Sequence, residues 1–320
     1  MVADRFSSLL FGASLVGCLL GSVAIRQRLA EIAGFAPPFV PALFGYLTGL
    51  SLFAYLSRRL NAVYGLMGFL FFILLPAVLR SIYGADEGLG VVFYSSASLL
   101  CLLRWREEKN ARSWLLLAAF SAGFAAAAQA SGLAAAGLSA FLFLIVSLQA
   151  PRRGWAGMVS DVLTFSAAGA LPVLLHRAPG PDISFYTLSD GLAPLIKLAT
   201  LDSESWQRLA PPLRYFFTGP LSPLLLLFLP WVFKGKWLEE KEFLLGFVLL
   251  YVVAAPYFTD PPAGFFLPVA PPLAALAVYG VFNAYLSVKR PAYLFATLFL
   301  FALLHGLYLW RFFAGGVLLG

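Results

Sequence analysis

Two adjacent carboxylates, Asp86 and Glu87, sit in the stretch RSIYGADEGLG between two long apolar runs. A carboxylate beside an acceptor hydroxyl can serve as a general base, and one placed on a hard cation can hold a divalent metal. Asp86 and Glu87 are candidates for the first role, and Asp86 for the second. The plainer reading is a pair of solvated loop acids between spans. Adjacent residues on a tight turn do not readily aim at one ion, so Asp86 is expected to face a cavity and Glu87 to face water.

The next candidates are cationic. Arg208 and Arg214 flank a Pro-Pro pair in DSESWQRLAPPLRYFF, with Lys197 upstream in the same polar segment. A guanidinium can clamp a lipid phosphate through two hydrogen bonds. The alternative role is to anchor a surface helix to headgroups. Asp161 lies about one helical turn inside an apolar run, a place where an acid is functional by default. Arg152 and Arg153 lie close by in sequence and offer it ion-pair partners instead. Cys18 and Cys101 sit inside apolar runs with no disulfide or metal spacing, which reads as buried small residues. His176 and His305 are far apart in sequence. The chain carries no glycine-rich phosphate loop opening a helix, no nucleophile elbow and no zinc-binding helix motif.

The elements that must position these residues follow from composition. Of 320 residues, 61% are hydrophobic and 12% charged, with mean hydropathy +0.87. A soluble domain would carry about 25% charged residues, so the solvent implied is a bilayer. The net charge of +7 does not imply nucleic acid, because the Lys and Arg residues are scattered and form no aromatic-interleaved basic face. Apolar runs predict eleven transmembrane helices, at 7–25, 39–57, 64–82, 89–104, 114–130, 132–149, 157–176, 218–233, 243–258, 264–286 and 292–312. The break at QASG, which holds Gln129, also fits a bent hairpin or a re-entrant pair. LVGC at Leu15–Cys18 resembles a lipoprotein processing site, but the apolar run continues to Ile25, so a retained first helix is expected.

The connecting loops alternate in character. SRRLN, RWREEKNAR, PRRGW, KGKWLEEK and SVKR are rich in Lys and Arg, whereas GADEG, QASG and TDPPAG hold none. This asymmetry is the positive-inside pattern. It predicts a single polytopic membrane domain over residues 1–320, with the N-terminus cytoplasmic and the C-terminus outside. The polar segment 177–217 then lies outside, and residues near 203–216 are expected to form an interfacial helix anchored by Trp206, Tyr215 and Phe216.

Several stretches resemble one family. FAPPFVPALFGYLTGLSLFAYLSRRLNAVYG (35–65), LLPAVLRSIYGADEGLGVVFYSSASLLCLL (74–103), SWLLLAAFSAGFAAAAQASGLAA (113–135), LRYFFTGPLSPLLLLFLPWVF (213–233) and GFFLPVAPPLAALAVYG (264–280) occur in an order similar to that of the polytopic GT-C glycosyltransferases. These include protein mannosyltransferases and the lipid A aminoarabinose transferase. The resemblance implies a GT-C-like all-α integral membrane fold in a bacterial inner membrane, acting at the outer face on a polyprenyl-phosphate-linked sugar. It matches Asp86 to the acid after the family's third span, and it puts Gln129 where the family has a Lys. The chain departs from the family in its first outer loop, RQRLAEIAGFAPP, where Glu31 is the only acid and matches no motif. It departs again at PAGFF, which lacks the family's basic residue. Two further functions stand beside sugar transfer. One is a non-catalytic subunit packing against membrane protein partners. The other is a transporter, which would show interrupted helices in both halves; QASG is the one interruption legible in the sequence.

Overall fold

Local chemistry sets where the helices start and stop. The computed structural model describes residues 39–83, 88–108, 111–128, 130–149, 154–176, 228–234, 239–254 and 263–288. It also describes separate positions at residue 12 and at 292, 296, 299, 302, 303, 305–307 and 310. The first described helix, α1 (Phe39–Arg59), is followed almost at once by α2 (Ala62–Ile73). Asn61 makes the sharp turn possible: its side-chain oxygen accepts from the N–H groups of Val63 at 3.0 Å and Tyr64 at 3.2 Å, capping α2. Pro76 opens α3 (Pro76–Tyr83) and has no N–H with which to continue the α2 ladder. The run 64–82, expected as one span, is two helices meeting at 65°.

The remaining helices are α4 (Gly88–Glu107), α5 (Arg112–Ala128), α6 (Ala130–Gln149), α7 (Trp155–His176), α8 (Leu229–Val232) and α9 (Glu239–Ala254). A 3-10 helix (Ala263–Val269) leads into α10 (Ala270–Val288). No strand occurs among the described residues. The bend at Pro76 is an interruption that the apolar pattern did not reveal, whereas the 3-10 stretch runs without a break into α10.

Helix α4 is the centre of the bundle and is buried from Gly88 to Trp105. It packs against α1, α5, α6 and the 3-10 helix. An apolar helix with no polar stripe is buried on all sides. Two of its serines satisfy themselves locally: Ser95 and Ser96 donate to the carbonyls of Val91 at 2.8 Å and Val92 at 2.6 Å within the same helix. Two close crossings depend on glycine. A Cβ at Gly123 would run into the backbone carbonyl of Gly169, and one at Gly280 into that of Phe228.

The outer surface has the opposite character to that of a soluble bundle. Helix α7 exposes Trp155, Val159, Leu163 and Leu174, the first at 78%. Helix α6 exposes Leu133, Phe141, Leu144 and Leu148. Contiguous apolar exposure on this scale suits hydrocarbon and not water. Three stretches are long and apolar enough to cross a membrane: Gly88–Glu107, Trp155–Leu174 and Phe266–Ser287, with α2–α3 a fourth when counted as one bent span. The protein is thus all-helical among the described residues, with candidate membrane spans. The runs 7–25 (save residue 12) and most of 218–233, and the interfacial helix expected near 203–216, fall outside the described residues.

The described helices alternate between two ends. Arg59, Glu107 and Glu240 come together, so the end of α1, the end of α4 and the start of α9 share one end. Phe143 packs against Trp105 with the rings tilted and their centroids 5.4 Å apart, which brings the later part of α6 to that end. Phe282 meets Tyr64 edge-on at 5.3 Å, which brings the end of α10 there too. Tyr83, Gly88, Ala128, Ala130, His176, Ala254 and Ala263 are the opposite termini of these helices.

Candidate functional site

The residues singled out from sequence do not share one outcome with the rest of the chain. Asp86, Glu87, Gln129, Lys197, Arg208 and Arg214 all lie outside the described residues. So do Arg152 and Arg153; Asp161 is described and is buried within α7. Cys101 is buried, as expected, in α4. Among the described residues, no three His, Cys, Asp or Glu side chains gather in a way that could hold a metal ion.

A charged constellation does form, at the end where the basic loops meet. Its origin is local. Arg58 and Arg59 close α1, and Arg104 and Arg106 lie in the last turn of α4, where cations complement the helix dipole. Glu107 and Glu108 follow at the same C-terminus, where the dipole disfavours them. They are held there by partners. Arg59 pairs with Glu107 and also with Glu240, which stands in the first turn of α9. Arg104 donates from Nη1 to Glu107 at 2.6 Å and from Nη2 to Glu108. Arg58 lies 3.8 Å from Glu108, and the Trp114 indole N–H donates to the same carboxylate. The Arg104 guanidinium also lies over the Trp114 ring, 5.4 Å from its centroid.

Three guanidinium groups and three carboxylates thus balance within this network. Burial opposes the charge on Arg59, yet Glu107 and Glu240 more than offset it, so the group is held protonated more firmly than an ordinary arginine. Burial pushes the neighbouring Lys241 ammonium below the usual lysine range, with Glu240 offsetting part of the effect. Lys241 donates towards the Val232 carbonyl at 3.5 Å and lies 5.7 Å from the Tyr279 ring centroid. Asn283 donates to the Trp231 carbonyl at 3.1 Å, fixing α8 against α10. Lys234 covers the Trp231 ring at 4.2 Å.

What this arrangement does chemically is to neutralise itself. It ties α1, α4, α5 and α9 together, with its three cations matched to its three acids. The sequence reading treated these loops only as carriers of positive charge. The signal it passed over was the acids inside them, the Glu-Glu pairs of RWREEKNAR and KGKWLEEK.

The helix termini at the opposite end frame the other candidates. Asp86 and Glu87 fall in sequence between Tyr83 and Gly88, Gln129 falls between α5 and α6, and His176 precedes the segment with Lys197, Arg208 and Arg214. Gly88 is separated from Glu107 by the length of α4, about 28 Å at 1.5 Å per residue. No family model matches the chain, and no curated protein or solved structure does either.

Proposed function

We propose that this chain is a GT-C-like integral membrane protein that handles a polyprenyl-phosphate-linked sugar or a related lipid at its less basic end. The observation that carries this reading is the segregation of helix ends. The ion network occupies one end, and the helix termini flanking Asp86, Glu87 and Gln129, together with the His176 end of α7 that precedes Lys197, Arg208 and Arg214 in sequence, belong to the other. In this reading Asp86 is the general base for an acceptor hydroxyl, and Arg208, Arg214 and Lys197 offset the charge of the departing lipid phosphate. Gln129 supplies a neutral contact where the resembled family has a cation. The less basic end faces outward across a bacterial inner membrane, eleven spans complete the fold, and the N-terminus is cytoplasmic.

The full chain, purified in mild detergent, is the material for the test. Polyprenyl phosphate should co-purify, detected by lipid mass spectrometry, and a polyprenyl-phosphate sugar should be turned over. Asp86→Asn should lower that turnover by about two orders of magnitude or more, the usual effect of losing a general base. Full turnover in Asp86→Asn removes the catalytic role. A stoichiometric protein partner with no lipid phosphate supports the non-catalytic subunit instead. A transport reading would call for interrupted helices in both halves, and among the described residues α2–α3 is the one bent pair. Uptake of a solute by vesicles holding the chain, without turnover, favours that reading.

A further inference from the structure

The break between α2 and α3 leaves a backbone acceptor to be satisfied. The first hydrogen bond of α3 runs from the Leu79 N–H to the Leu75 carbonyl, at 2.9 Å, and the Leu75 N–H bonds back to Phe72 at 3.1 Å. The Leu74 carbonyl lies ahead of that first bond and outside both helices. In hydrocarbon such a carbonyl is costly to leave without a donor. The donor comes from far along the chain. The Nε2 of His305 lies 3.2 Å from the Leu74 oxygen, across 231 residues of sequence. A carbonyl can only accept, so Nε2 carries the proton in this contact.

His305 is built for an inward role. The described positions around it are helical, and Phe299, Leu303, Leu307 and Trp310 are exposed, whereas His305 is 7% exposed. An apolar helix that turns its polar residue inward is spending it on a specific contact. Helix α3 in turn docks on α1, where Ile82 side-chain atoms lie 3.4 and 3.6 Å from the place a Cβ on Gly45 would take. The angle at Leu74 decides whether α3 reaches that seat.

We propose that His305 is a latch: its hydrogen bond to the Leu74 carbonyl holds α2–α3 at the observed bend and so keeps α3 seated on α1. The proposal is independent of whether the protein transfers a sugar.

Two cysteine pairs test it in the full chain, with Cys18 and Cys101 replaced by Ala. Gly45→Cys with Ile82→Cys reports the seat of α3, beyond the bend. Gly49→Cys with Phe69→Cys reports α1 against α2, before the bend, where the Phe69 ring lies 2.7 Å from a Cβ on Gly49. Each pair is cross-linked with a short bismaleimide in native membranes, in three backgrounds: His305, His305→Gln and His305→Phe. Gln keeps a donor, whereas Phe keeps bulk and loses it. The α1–α3 pair should cross-link with His or Gln at 305 and fall about fivefold or more with Phe, while the α1–α2 pair stays constant. Equal cross-linking of the α1–α3 pair in all three overturns the latch. Loss of both pairs with Phe also overturns it, because His305 would then support the whole bundle and not the bend.

Discussion

Arg59 carries more of the charged end than any other residue there, because one guanidinium serves acids on two different helices. Removing it takes the paired cation from Glu240, which is mostly buried, and leaves Glu107 to Arg104 alone. Breaking a buried pair in this way costs more than the pair contributes, since a carboxylate remains desolvated and unpaired. Arg59 itself is partly open to solvent, which screens part of the loss. Arg59→Gln is therefore expected to cost about 1–3 kcal/mol, read as a lower thermal midpoint in detergent. Glu240→Gln should cost less in the Arg59→Gln background than in the native protein, with a coupling of about 1 kcal/mol. Strictly additive effects would show that the two side chains do not act together. At this scale the sequence was only half legible. That arginines end α1 and α4 is visible in the letters, but pairing across three helices depends on which helix ends converge, and no local pattern records that. The candidates that were legible, Asp86, Glu87 and the cations of the segment 177–217, were found by residue type alone and lie outside the described residues.

Elements were more legible than their contacts. Apolar length identified α1, α4, α5, α6, α7, α9 and α10, with boundaries shifted by a few residues because charged side chains extend the ends of α1 and α4 past the apolar run. The bend at Pro76 was missed because hydropathy does not register a missing N–H, although the proline stood in the sequence. The central place of α4 was missed for a different reason. An even distribution of small and apolar residues gives a helix no preferred face, and only the neighbours decide which helix is enclosed. The glycines show the same limit. Gly123, Gly280 and Gly137 are alike as letters, but a Cβ would strike a backbone carbonyl at the first two and would meet nothing within 4 Å at the third. Gly123→Ala and Gly280→Ala are each expected to cost about 1–3 kcal/mol, because a backbone cannot step aside as a flexible side chain can. Gly137→Ala should be neutral or stabilise by about 0.5–1 kcal/mol, through a lower helix-forming cost for Ala. Thermal denaturation of the three variants in one detergent checks the order; equal losses at all three would mean that the crossings are not close.

For the whole molecule, the alternation of loop charge and the alternation of helix ends are two independent signals that agree over the described residues. The basic loops after α1, after α4 and before α9 meet at the ion network, and the helix termini bounding GADEG, QASG and TDPPAG lie at the other end. This agreement makes a sidedness prediction sharp. Arg112 opens α5 at the charged end, and Asp190 follows α7 in sequence. Three helices, α5, α6 and α7, lie between them, an odd number of crossings. Reporter fusions after Arg112 and after Asp190 should therefore sit on opposite sides of the membrane, with Arg112 on the cytoplasmic side if the basic loops are retained there. Parity alone does not separate three full crossings from one crossing preceded by a re-entrant hairpin, since α5 has 17 residues and stands at the short limit for a span. Position 129 does separate them. Gln129→Cys should react with an impermeant maleimide from the side opposite Arg112 when α5 and α6 both cross, and should resist labelling there when the hairpin turns back within the bilayer. Fusions that report the same side would sink the arrangement altogether, because no odd number of crossings could then join the charged end to the segment that carries Lys197, Arg208 and Arg214.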